Sequence, residues 1–166
     1  MAITNETALD PSIDRRLAVD LDASEQDKLV AYKDSLGNWT CGRGHLMPHP
    51  APGRTWEGFT VIQSTSDRWL CTDILSAMAL AQRWPEFEKC DTDCRKNALY
   101  ELAFNLAHRF EGFKDTIAGI EAQDWQKVHD DLLDSAWAKE VQPHGLDRPG
   151  RATRIAGYFL TGEYPS

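Results

Sequence analysis

Residues 25 to 45 read EQDKLVAYKDSLGNWTCGRGH, a stretch that holds two carboxylates and a hydroxyl able to share one reaction: Glu25, Asp34 and Thr40. Hydrolysis of a glycosidic bond needs a carboxylic acid to protonate the leaving oxygen. It also needs a second carboxylate on the other face of the sugar. Glu25 would have to keep its proton near neutral pH, which calls for a partly desolvated setting. Asp34 would stay ionised and hold a water, and the Thr40 hydroxyl could orient that water. Taken one at a time these residues carry no such meaning. Glu25 is then a solvated helix residue, Asp34 a turn residue that caps its own backbone, and Thr40 an ordinary strand residue.

The surrounding elements must bring the three together. Ile13, Leu17, Val19 and Leu21 recur among charges from Pro11 to Asp22 and predict a helix, with residues 24 to 31 extending it or adding a turn. Val30 to Asp34, a turn at residues 35–38, and Trp39 to Gly44 read as a β-hairpin. Glu25 would stand at the end of a helix and Asp34 beside a hairpin turn, facing each other across a cleft. Met47 to Gly58 is a proline- and glycine-rich loop, and Phe59 to Gln63 is expected to add a short strand. A long helix follows from about 66 to 84, apolar nearly all round and ended by Pro85. The second half reads as helices. One is capped by Thr92 or Asp93, and others run over about 113–121, 124–137 and 150–160, with breaks at Pro143, Gly145 and Pro149. The expected architecture is therefore α+β and mostly helical: a small β-hairpin lobe, a connecting helix and a helical C-terminal lobe. Residues 1–10 read as a flexible leader and 11–166 as a single domain, with the β lobe at about 25–63 and the helical lobe at about 85–166.

With the spacing laid out, the chain resembles the phage T4-type lysozymes. Their catalytic segment is a Glu, eight residues, an Asp, five residues, a Thr, then Gly-x-Gly-His, and every part is present here. Residues 149–154, PGRATR, are similar to that family's Pro-x-Arg-Ala-x-Arg segment, and Phe104-Asn105 sits where the family has an aromatic followed by an amide. The resemblance implies a lysozyme-like fold with the active site between the lobes. It implies hydrolysis of the β-1,4 bond between N-acetylmuramic acid and N-acetylglucosamine in peptidoglycan, with inversion. In that reading Glu25 is the acid, and Asp34 and Thr40 handle the water. His45 closes the Gly-x-Gly-His turn, Asn105 lines the sugar cleft, and Arg151 pairs with the catalytic glutamate. Arg148, Arg151 and Arg154 are spaced by three, with no acid between residues 148 and 160, and are expected to form a basic stripe beside the cleft. Four positions depart from the family: Gln26 follows the glutamate in place of Gly, Leu36 replaces an acidic turn residue, Cys41 replaces an aliphatic, and Arg43 lies between the two glycines.

Composition excludes other classes. A net charge of −8 disfavours nucleic acid, whose phosphates need a basic surface. No apolar run approaches the roughly 20 residues needed to span a bilayer, and residues 1–22 lack a basic start followed by an apolar stretch. The expectation is a monomer made in a host cytoplasm without a secretory signal, acting on the bacterial cell wall. It would be released through a membrane-permeabilising partner (a holin) or carried in the virion. Cys41, Cys71, Cys90 and Cys94 read as free thiols; no zinc spacing is present, and neither metal nor cofactor is implied. The competing readings are a non-catalytic peptidoglycan-binding or virion structural module on the same fold, and an enzyme acting on a related polymer such as chitin.

Overall fold

A computed structural model describes residues 9–34, 36–141 and 150–165. The expected leader up to residue 8, Ser35 of the hairpin turn, the breaks at Pro143, Gly145 and Pro149, and Arg148 lie outside the described residues. The chain is α+β and mostly helical, with a small antiparallel sheet, and divides into two compact units, residues 1–75 and 76–166.

In the first unit, helix α1 spans Arg15–Ser24 and not Pro11–Asp22. The shift follows from side chains competing for backbone N–H groups. Asp10 accepts from the Ser12 amide at 2.9 Å, holding the chain in a turn, and Asp14 caps the helix by accepting from the Leu17 amide at 3.0 Å. Leu17, Ala18 and Leu21 are the buried face, and Val19, expected with them, is 43 % exposed. The helix ends where Glu25 turns extended, at φ −108° and ψ 141°. Residues after it do not prolong the helix. They enter strand β1, Lys28–Lys33, which pairs antiparallel with β2, Trp39–Gly42; β2 pairs in turn with β3, His45–Leu46. Ala31, Cys41 and Met47 form a small core, with Trp39, Trp56, Val61 and Trp69 packed against it.

The expected strand at 59–63 is reduced to one bridge, Val30 to Thr60. The backbone makes two sheet-like bonds there, Ala31 to Phe59 at 2.8 Å and Val61 to Leu29 at 2.9 Å, before helix α2, Gln63–Ala81, takes over. That helix begins earlier than expected and stops four residues before Pro85. Trp84, which precedes the proline, is extended, as the ring's clash with the preceding residue requires.

In the second unit α3 is Asp93–Leu106, α4 Lys114–Glu121, α5 Trp125–Asp134, α6 Ala136–Val141 and α7 Arg151–Thr161. Thr92 caps α3, accepting from the Arg95 amide at 3.2 Å. The helix expected over 124–137 is two helices. Ser135 separates them, its hydroxyl donating to the Leu132 carbonyl at 2.7 Å and accepting from the Ala138 amide at 3.1 Å. Helix α7 packs against α3, α5 and α6, burying Ile155, Ala156, Tyr158 and Phe159. Arg95 seals the end of α7: its guanidinium donates to the Phe159 carbonyl at 2.8 Å and to the Leu160 carbonyl at 3.3 Å, where cation and helix dipole agree. All four cysteines are buried thiols outside any disulfide, and burial pushes the Cys90 thiol up to about 12. Among the described residues no helix is long and apolar enough to cross a membrane.

Candidate active site

Glu25, Asp34, Thr40 and His45 all belong to the first unit, and the sheet organises them. The residue before β2, Asn38, builds a collar for Asp34. The Asp34 carboxylate accepts from the Leu36 amide at 2.9 Å, from the Asn38 amide at 2.8 Å and from the Asn38 side chain at 3.2 Å. Desolvation raises the Asp34 pKa, but these bonds together with the Gly37 amide outweigh it and hold the carboxyl below its ordinary range. Asp34 is thus built to be ionised.

Thr40 is buried and stands directly across from Tyr32 in the β1–β2 pairing, so their side chains share one face of the sheet. Burial raises the Tyr32 phenol first, and the negative charges of Glu25 and then Asp34 push it further. Tyr32 thus feels the charge of both carboxylates and shares a face of the sheet with Thr40. The Thr40 hydroxyl donates to the Asn38 carbonyl at 3.4 Å, long for an O–H donor, and keeps acceptor capacity for a water. Glu25 is half-buried and lies over the turn between β2 and β3: a Cβ on Gly44 would stand 3.4 Å from its Oε2. Gly44 also has φ +82°, so a side chain there would be strained as well as in contact with the carboxylate. Tyr32 was not singled out by sequence reasoning; its only signal is that it precedes Asp34 by two positions on a strand.

His45 ties the sheet to α2. Its ring stacks on Trp69 with centroids 4.4 Å apart, and Nδ1 lies 2.9 Å from the Asp73 carboxylate. Burial pushes Asp73 up, and the His45 hydrogen bond and charge pull it partly back. His45 is thus packed between β3 and α2.

Arg43, noted in the sequence only as a departure, is the larger surprise. It is 3 % exposed, and its guanidinium meets three aspartates: Nε to Asp22 at 2.5 Å, Nη2 to Asp27 at 3.3 Å and Nη1 to Asp67 at 2.7 Å. No local pattern reports this, because the acids come from two segments distant from Arg43 in the chain, residues 22–27 and the start of α2.

Asn105 and Arg151 lie in the second unit. Asn105 is half-buried on α3, and its Oδ1 accepts from the indole N–H of Trp137, a residue lining a cavity of about 460 Å³. Arg151 is the half-buried first residue of α7. Arg148 of the expected basic stripe lies outside the described residues, so only Arg151 and Arg154 can be placed. Arg154, three residues on, donates from Nη2 to Glu101, which is 1 % exposed. The sequence interval 148–160 holds no acid, but α3 supplies one in space. Breaking a buried pair from one side costs about 3–5 kcal/mol, because the remaining charge loses its counter-ion. Arg154→Met is therefore expected to lower the melting temperature by about 6–20 °C. Adding Glu101→Leu should restore most of the loss. A single variant that melts within about 2 °C of wild type, a shift worth only about 1 kcal/mol, would show that the pair is not worth that much.

Glu25 at the end of α1, Asp34 just after β1 and Thr40 on β2 thus all belong to the small first unit of a mostly helical α+β chain. The family model described as phage lysozyme matches residues 22–153. The chain belongs to the phage lysozyme family, and its class is a glycoside hydrolase whose substrate is the peptidoglycan of bacterial cell walls.

Proposed function

We propose that this chain is a T4-type endolysin that hydrolyses the β-1,4 bond between N-acetylmuramic acid and N-acetylglucosamine with inversion, and so lyses the host cell. A water held by the Asp34 carboxylate and the Thr40 hydroxyl attacks the anomeric carbon, and Asp34 takes its proton. Glu25 gives its proton to the glycosidic oxygen as that bond breaks. The water enters opposite the leaving group, so a β linkage yields an α product. The single observation that carries the reading is geometric: Thr40 stands across the strand pair from Tyr32, two positions before Asp34, and Glu25 lies against Gly44 in the turn that follows the Thr40 strand. The hydrogen-bonded collar on Asp34 supports it as the ionised partner.

His45 serves this site by fixing the turn beneath Glu25. Asn105 and Arg151 are assigned contacts with the substrate on the resemblance alone. The chain acts as a monomeric lysozyme domain, without cofactor, and reaches the wall after a holin opens the membrane.

Digestion of purified peptidoglycan tests the reading. New reducing ends should fall on N-acetylmuramic acid, and the fresh product should be the α anomer by proton NMR. Binding without new reducing ends would make the chain a non-catalytic module. Cleavage of chitin oligosaccharides with intact peptidoglycan would move it to another polymer, and a β product would replace inversion by a covalent route.

A further inference from the structure

The last residue of β2 and the two-residue turn to β3 have unlike duties. Gly42, at φ +62°, passes so close to α2 that a Cβ would stand 2.7 Å from the Ser66 hydroxyl. Gly44 passes the Glu25 carboxylate. Arg43, between them, is buried and turns its whole guanidinium fork on three acids. Asp22 stands three residues before Glu25 at the end of α1, Asp27 stands two residues after it, and Asp67 is on the first turns of α2. The acids are tied to one another as well. Ser66 donates to Asp27 at 2.7 Å, and the Gln63 amide donates to Asp27 at 2.6 Å and to Asp67 at 3.0 Å.

We propose that Arg43 is a positioning residue for hydrolysis: by gripping both flanks of the Glu25 segment and α2 at once, it fixes the Glu25 carboxylate against the turn that ends the Thr40 strand. The inference rests on Glu25 being the acid. Its physical basis is geometric. The stretch from Asp22 to Asp27 leaves α1 and enters β1, with Glu25 between the two elements. The Arg43 fork grips both flanks of that stretch and α2 through three separate nitrogens. Exposed ion pairs contribute little, but a buried planar fork fixes direction as well as distance. Lysine brings the same charge to one point and cannot reach all three carboxylates in their present places. A shift of about 1 Å in a proton donor is enough to lower turnover roughly 100-fold while leaving substrate contacts elsewhere intact.

The test compares wild type, Arg43→Lys and Asp67→Asn on soluble glycan fragments of peptidoglycan, reading kcat and KM per folded molecule beside the melting curve. Arg43→Lys should lose about 30–100-fold in kcat, with KM within about twofold. Asp67→Asn keeps an oxygen acceptor for Nη1 and should fold even if Arg43→Lys does not. It should lose about 3–10-fold in kcat, again with KM little changed, since one of three anchors is weakened. A lowered melting temperature with kcat within twofold of wild type in the folded variants would make Arg43 purely structural and overturn the inference. If wild type cleaves and Glu25→Gln cleaves equally well, the acid assignment fails and this inference falls with it. A dead Glu25→Gln beside fully active Arg43 and Asp67 variants defeats the inference alone.

Discussion

Glu25→Gln is expected to abolish peptidoglycan hydrolysis while leaving the fold in place. Glutamine matches the shape of a protonated carboxyl and still fits over Gly44, where the glutamate Oε2 lies 3.4 Å from the position a Cβ would take. What it lacks is a proton that can leave. A positioned general acid contributes about 10²–10⁴ in rate, so kcat should fall by that factor, equivalent to about 3–5 kcal/mol of transition-state stabilisation. KM should change little, because the lost interaction is made only as the glycosidic bond breaks. Release of reducing ends from purified peptidoglycan, with circular dichroism for the fold, checks both halves. A folded Glu25→Gln variant with wild-type turnover would remove Glu25 from the mechanism.

Asp34→Asn is expected to be nearly as damaging, for a different reason. The asparagine carbonyl oxygen can still accept from the Leu36 and Asn38 amides, so the turn should keep its shape. It cannot accept a proton from the attacking water, and turnover should drop by about 10²–10⁴. Asn38→Ala probes the same residue more gently. The Asn38 side chain is one of the donors that hold the Asp34 carboxyl below its ordinary range. A depressed carboxyl pKa keeps the group ionised down to lower pH, so in wild type the acid limb due to Asp34 should lie below the ordinary aspartate range. Removing one donor raises that pKa, and the acid limb of the pH–activity profile should move upward while the plateau is largely kept. An unmoved acid limb in an active, folded Asn38→Ala variant would show that another group sets it.

Much of this protein was legible in the order of its residues. The Glu25, Asp34 and Thr40 spacing, the hairpin, the long α2 and the cap at Thr92 are local facts. A turn, a strand alternation or a capping oxygen acts over a few residues, and a sequence displays those distances directly. Boundaries were less legible where side chains compete for the same backbone groups. Asp10 and Asp14 delay α1, and Ser135 splits one expected helix into two, because a short polar side chain bonds to the backbone on either side of a helix end.

What tertiary structure alone decided is where charge goes when it leaves water. Nothing near Arg43 in the chain says that it is buried, and nothing near Arg154 supplies its acid. The partners are Asp22, Asp27 and Asp67 in one case and Glu101 in the other. Arg43 and Asp67 are 24 positions apart, and Arg154 and Glu101 are 53. Burying a cation is so costly without opposite charge at hand that the fold must bring those acids to it. Sequence spacing is silent on such meetings. It placed Glu25, Asp34 and Thr40 in one short segment, and packing decided which acids meet the buried arginines.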